Sequence, residues 1–416
     1  MVTRNAANGA ELLSAIFAAS GGDEIVLTTA NGDYGQLDLD SSTAAETNFA
    51  SEVVIRSADP ANPAVLTADM ATGGIVKWGY CVNMTMQDLV MNYIYTAGDT
   101  KFSRTFRVVN SSYVKFERCK FTGDYNPADS LPLGQGLNIE DSDNITVTNC
   151  EFELFHRGII SGGVSNLNIT SNNVHSMKSD GLDFYAVTDT LIEDNWVHDF
   201  LASTDPGDHR DFIQFWTNGT TTPSERVTIK NNILDIGQGG WAQSIFIRNE
   251  EVDNGLAGPE MYYQNFTIED NYIRNLHLHG ITTSEGDNWI IRNNILISTA
   301  NFNTSVQANI DHTTSYGPSS ELRVPTIRVH PVSSATTITG NEFYGAPEYD
   351  ARNPSPRIIN TVTDTEATAQ TGWTISGNTI DPTEANAPAT PAWPAGSTGP
   401  TLPVMGRNIT INLTVG

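Results

Sequence analysis

The sequence predicts an all-β chain folded as a single-stranded right-handed parallel β-helix, a solenoid with a capping helix at its N-terminal end. Three observations carry that expectation. A six-residue phrase, Ile169-Thr170-Ser171-Asn172-Asn173-Val174, returns with the same apolar–polar–polar–Asn–any–apolar pattern at 192–197, 229–234, 268–273 and 291–296. Successive Asn positions lie between 22 and 47 residues apart, which is how a unit with a fixed minimum and variable insertions behaves. The stretches between them are short, rich in Ile, Val, Phe and Thr, and bounded by Asn, Asp and Gly, with little helical periodicity.

The phrase extends outward to 116–121 and 147–152, where Cys119 and Cys150 hold the Asn position, and to 338–343 and 375–380. A side-chain amide at a sharp inward turn can satisfy backbone groups there. It can also bond the same amide one coil away, about 4.8 Å distant. Asn172, Asn195, Asn232, Asn271 and Asn294 are therefore read as structural.

In chain order, residues 1–80 form a cap and the first irregular coils. Asn8 is an N-cap candidate, Leu12, Leu13, Ile16 and Phe17 form one apolar stripe, and Gly21-Gly22 stops the helix. Such a helix would hide the unpaired edge of the first coil. Strand signals follow at 24–27, 36–39, 53–55, 65–66 and 75–78. Residues 81–380 are the β-helix proper. Residues 381–416 hold a Pro-rich stretch, read as a surface segment or linker, and then the alternating run 408–415, read as a strand that caps the end or pairs with another subunit.

A chain of 416 residues needs no second core if it grows by coils. Its net charge of −26 argues against nucleic acid and an anionic membrane surface, since both require a clustered cationic face. No apolar run reaches the roughly 18 residues of a membrane span. Behind Met1 there is no apolar signal-peptide core, so either the signal is missing from this sequence or export would proceed by another route, such as assembly into a particle. Cys81, Cys119 and Cys150 give no disulfide framework and read as buried thiols.

A second register follows from the first. The strands beginning near 136, 158, 181, 212, 244, 280 and 326 align, and side-chain alternation turns every other residue outward. One outward column reads Arg157, Asp180, Asp211, Gln243 and His279. The next includes Asn138, Asp183, Gln214, Thr282 and Arg328, and a third reads Glu140, Tyr185, Trp216, Arg248, Ser284 and His330. Aromatic rings, amides, arginines and clustered carboxylates are the groups that bind sugars by stacking and bidentate hydrogen bonds. The insertion 199–211 brings His209 and Arg210 to the same edge.

Three chemistries fit this face. Carboxylates about 5 to 7 Å apart on adjacent coils repel, which raises the pKa of at least one and suits glycosidic acid catalysis. The same acids could bind Ca²⁺, for which Glu250, Glu251 and Asp253 in an acidic loop are a weaker set. His209 or Tyr185 beside Arg210 or Arg248 would suit abstraction of a uronate C5 proton.

With the N-terminal run NGAELLSAIFAASGGDEIVL and the repeated Asn phrase in hand, the chain resembles the pectate-lyase-like superfamily of right-handed β-helices, alginate-lyase and chondroitinase-B-like members in particular. That resemblance implies a polysaccharide partner. Asp205-Pro206-Gly207-Asp208-His209 is similar to the Asp-Pro-His-Glu motif of mannuronan epimerases, with two residues inserted and Arg210 where Glu would stand; Lys178 and Lys230 fall in turn or repeat positions. The capped helix, Pro-rich exit and terminal strand also resemble phage and gene-transfer-agent spikes, which implies a homotrimer or attachment to a particle. The expected function is binding and cleavage of an extracellular or cell-surface polysaccharide by lyase or hydrolase chemistry. Asp180, Asp183, Asp211 and His209 would form the acid/base group, and Arg157, Tyr185, Arg210, Gln214, Trp216, Gln243, Arg248 and His279 would hold sugar. The alternative is a spike or adhesin that only grips the glycan.

Overall fold

The computed structural model describes residues 1–69, 74–128, 131–201, 210–237, 239–240, 242–277, 279–299, 325–345, 359–361, 372–381 and 383–393. Each regular coil contributes one strand to each of three parallel sheets. Arg157–Gly162 lies in sheet C, Ser165–Thr170 in sheet A and Asn173–His175 in sheet B; the chain then returns to sheet C as Leu182–Tyr185. Leu182 lands opposite Ile159 and Asp183 opposite Ile160. Sheets B and C each hold eleven strands, so at about 4.8 Å per strand the column runs roughly 50 Å.

The inward positions form continuous files. In sheet C, Leu137, Ile159, Leu182, Ile213, Ile245, Ile281 and Ile327 stack in register, all fully buried. Aromatic pairs extend the same packing, with Phe121 and Phe152 at 4.4 Å and Phe184 and Phe215 at 4.9 Å between ring centroids.

The corner between sheets A and B explains the repeated phrase. It holds two residues in every regular coil. The first is left-handed, as at Ser171, Asp194, Asn231, Asp270 and Asn293, and the second is the Asn. Short polar side chains bond locally and tolerate that backbone conformation, which accounts for the composition there. Each amide then donates to the next, from Asn172 to Asn195 at 2.9 Å, Asn195 to Asn232 at 3.0 Å, and onward through Asn271, Asn294 and Asn341 to Asn378 at 2.9 Å. At the start of the file Cys119 N–H donates to Cys150 Sγ at 3.4 Å, and the three cysteines are free and buried.

A corner so tightly bonded cannot lengthen. Insertions fall instead at the other two corners, and both border sheet C. Residues 123–128 and 131–134, with the hairpin Tyr125–Asn126 and Leu131–Pro132, lie along one edge; residues 216–224 and 248–262 lie along the other. Sheet C is therefore the floor of a walled trough.

At the N-terminus, Thr3–Ala6 pairs with Glu24–Leu27, and the helix Gly9–Ala18 is capped by Asn8, whose side chain accepts the Glu11 N–H at 3.0 Å. Leu12, Ala15 and Ile16 are buried, whereas Leu13 and Phe17 are 36% and 40% exposed. The expected apolar stripe is thus only half used, because Leu13 and Phe17 sit further round a helix of 3.6 residues per turn. Near the other end, residues 383–393 run back over sheet B. Trp393 Nε1 donates to Asp194 O at 3.1 Å, and Ala387 and Trp393 pack on Ile233, Tyr272 and Ile297. The strand expected at 408–415 lies outside the described residues.

Sheet B also carries His198, which stacks on Trp196 at 3.8 Å and is bonded by Asp199 at 2.5 Å and Asn173 at 2.9 Å. Burial, opposed by Asp199 and aided by neighbouring His175, holds its pKa below the ordinary 6.5. The folded form therefore binds fewer protons than the unfolded one. This contribution to stability is intact above pH 6.5 and is lost as pH falls below it. Urea unfolding at pH 5 and pH 7.5 should show a loss on acidification that is smaller in His198→Gln; an unchanged loss would assign it to other groups.

Candidate functional site

Strand pairing places the outward residues of sheet C in columns. Gln135 is opposite Arg157 and Asp211 opposite Gln243, while the bonds Gly158 N–H to Asp180 O and Gly181 N–H to Asp211 O stack Asp180 and Asp211 on consecutive coils between them. The middle column reads Asn138, Ile160, Asp183, Gln214, Phe246, Thr282 and Arg328. In the third, Glu140, Gly162 and Tyr185 are in register, followed by Trp216 and Arg248.

The acids point away from the core yet have no exposure: Asp180, Asp183 and Asp211 are each at 0%. This departs from the open solvent face expected of them. Arg157 lies across the first two acids, with Nε 3.0 Å from Asp180 Oδ2 and Nη1 3.1 Å from Asp183 Oδ2. The other oxygen of Asp180 accepts the Asp211 N–H at 3.1 Å. Arg210 is buried as well and donates to Leu201 O at 3.2 Å. At the corner before the strand, Lys178 and His156 are buried on adjacent coils, joined by Lys178 N–H to Phe155 O and Ser179 N–H to His156 O. Charges this deep persist only when paired, and Arg157 supplies that partner to Asp180 and Asp183.

Beside the acids lies an aromatic platform. Tyr185 and Trp216 stack at 5.2 Å and 20°, and the Arg157 guanidinium sits 5.5 Å from the Trp216 ring centroid. The Tyr185 ring lies over Gly162, where a Cβ would come within 1.8 Å of it. Burial first, and the charge of Glu140 second, push the Tyr185 phenol above its ordinary pKa. It therefore keeps its proton near neutrality, as a stacking surface and donor. Glu140 is in turn ion-paired to Arg104 and Arg107.

The remaining expected residues divide. Gln214 is buried beside Asp183 in the column, and Gln243 follows Asp211. Arg248 turns to Asp253 at 3.0 Å. His279, at a bulge, bonds Thr282 at 2.7 Å and meets Phe246 edge-on at 5.0 Å. His209 lies outside the described residues. Glu250 accepts the Thr217 N–H at 3.0 Å and Glu251 the Gly219 N–H at 2.7 Å, so both tie corner loops together. Among the described residues, the grouping with metal-ligand geometry is Glu151, Glu153 and His175 on sheet B, ligand atoms within 4.8 Å of one another. Lys120 already pairs with both glutamates there, at 2.8 and 3.3 Å.

Sequence reasoning passed over Gln135, Gly162, Lys178 and His156. Gln135 and Gly162 were legible from the strand alignment taken one residue further at each end. The burial of Lys178 and His156 depends on corner loops that carry no periodic signal.

Residues 101–242 match the family described as the right-handed β-helix region. Among solved structures, the chain is similar to the Dettilon tailspike protein, with TM-score 0.51 and 14% identity over 90% of this chain and 64% of that one. It is similar to the lacto-N-biosidase of Eubacterium ramulus, with TM-score 0.50 and 11% identity over 91% of this chain and 67% of that one. An alginate lyase from Paenibacillus sp. aligns at TM-score 0.40 and 16% identity, over 92% and 96% of the two chains. No curated protein matches the sequence. The chain spans slightly less than two thirds of the tailspike's length, and at these identities the likeness is one of fold. By its coil register, its three parallel sheets and these matches, this chain is a right-handed parallel β-helix.

Proposed function

We propose that the protein binds an extended polysaccharide along the outer face of sheet C and hydrolyses it at the Asp180, Asp183 and Asp211 cluster. The observation that carries this reading is the joining of two of the three buried carboxylates, Asp180 and Asp183, to a Tyr185–Trp216 platform by one guanidinium, that of Arg157. Rings that stack sugars and acids that act on the bond between them are needed side by side in a glycosidase. One carboxyl group, protonated, gives its proton to the glycosidic oxygen as the bond to the anomeric carbon breaks. A second, ionised, takes a proton from the water that forms the new bond to that carbon. Hydrolysis is favoured over C5 proton abstraction because Tyr185 holds its proton and Arg248 is engaged by Asp253. His209 completes the acid/base group in this proposal. A polysaccharide of this kind places the protein's work outside a cell or on a phage-like particle.

The second reading is a spike or adhesin that grips glycan without turnover. It is favoured by one observation, the double engagement of Arg157, which occupies an oxygen of both Asp180 and Asp183 in the protein as it stands. Incubation with alginate, hyaluronan, polygalacturonate, xylan and bacterial capsular polysaccharide separates the readings. The expected result is new reducing ends without the ultraviolet absorbance of unsaturated uronates. Asp183→Asn should keep binding and lose turnover by about 10²- to 10⁴-fold. Unsaturated product would replace hydrolase by lyase, and no product from a glycan that binds would leave the spike reading.

A further inference from the structure

Among the described residues, the amide side chains of Gln135, Asn138 and Gln243 on the outer face of sheet C each carry a buried polar atom with no hydrogen-bond partner. Asn138 is 1% exposed, and its Nδ2 has no hydrogen-bond partner among the described residues. Gln135 is 7% exposed, and its Oε1 is in the same condition, as is the Oε1 of Gln243. A buried donor or acceptor left unmade costs stability, so a fold retains one where something else completes it.

The position of the three atoms says what that is. Gln135 lies one coil before Arg157 and two before Asp180, in the same column; Gln243 lies one coil beyond Asp211. Asn138 lies two coils before Asp183 in the middle column. The unmade bonds therefore flank the acids on both sides along the solenoid axis. Coils repeat about every 4.8 Å, close to the advance of one sugar ring along an extended chain, so the four steps from Gln135 to Gln243 cover roughly 19 Å.

We propose that Gln135 and Asn138 form a hydroxyl-reading subsite on one side of the acids and Gln243 forms another on the far side. The glycan then passes across the acids and is held at an internal position, not by its end. Amide oxygens accept from sugar hydroxyls and the Asn138 amide donates to a hydroxyl or ring oxygen, so these subsites read neutral groups of the sugar. This inference rests on the glycan reading above and adds the direction, span and chemistry of the contact.

The test has two arms. In the free protein, Asn138→Leu and Gln243→Met remove an unmade polar group at nearly constant shape, so the melting temperature should hold or rise; a clear fall in either would mean the amide is already satisfied internally, and would overturn the inference without any glycan. In the second arm, binding of size-defined alginate, hyaluronan and xylan oligosaccharides is measured in the Asp183→Asn background. Each variant should weaken binding of tetramers and longer chains about tenfold, the size expected for one hydrogen bond, with little change for dimers. A glycan that binds Asp183→Asn equally well with and without Asn138→Leu and Gln243→Met would overturn the inference and leave the glycan reading standing. No binding by any oligosaccharide would remove both.

Discussion

Asn232→Ala is expected to destabilise the protein by about 3–5 kcal/mol, among the largest effects a single substitution produces here. Asn232 has no exposure. Its Nδ2 donates to Ile192 O at 3.0 Å, Lys230 O at 3.0 Å and Asn271 Oδ1 at 2.9 Å. Its Oδ1 accepts the backbone N–H and the side-chain amide of Asn195, both at 3.0 Å. Alanine removes these five bonds from a buried corner and takes from the Asn195 N–H the acceptor it has there, at roughly 1–3 kcal/mol for each group left unmade where water cannot reach; Asn271 Oδ1 keeps the Asn232 N–H and the Asn195 amide keeps Ile169 O. Asn232→Asp should be no better, since a carboxylate would face three acceptors. Asn232→Cys should lose least, because a thiol holds the same place at Cys119 and Cys150 and accepts the Cys119 N–H there. Urea unfolding gives the ranking, and hydrogen exchange should place the loss in the two coils on either side, as a stack of nearest-neighbour units requires. An alanine variant within about 0.5 kcal/mol of the parent would mean that the amide file is not what holds this corner closed.

The same corner shows why so much of the fold was legible in the sequence. A two-residue turn with a left-handed first residue and an inward amide makes demands that are local, and local demands repeat as text. Once the turn fixes where each coil begins, alternation in the strands of sheet C assigns the outward residues, and the meeting of Asp180, Asp183 and Asp211 with Tyr185 and Trp216 follows by counting. What counting could not supply was depth. That Asp183 is fully buried is a matter of three-dimensional packing around the coil, which carries no sequence period. Arg157 illustrates the difference: it falls in its expected column, but its role as clamp on two acids needs a diagonal reach between coils. The strand Thr3–Ala6 escaped because four residues without an apolar run look like any polar terminus. Leu13 and Phe17 looked like core because a stripe says which side of a helix is apolar, not how wide its docking surface is.

Arg157→Leu should be the most damaging change at the candidate site. The guanidinium is the partner of two carboxylates with no exposure, and removing one member of a buried ion pair typically costs about 3–5 kcal/mol, because the remaining charge has neither water nor a counter-ion. Arg157→Lys should recover only part of the loss, since a single ammonium lacks the planar fork that reaches Asp180 and Asp183 together. Combining Arg157→Leu with Asp180→Asn and Asp183→Asn should recover most of it, because no unpaired charge is left in the trough. Unfolding free energies of these variants at pH 7 provide the measurement. A triple variant no more stable than Arg157→Leu alone would mean that Arg157 acts through packing against Trp216.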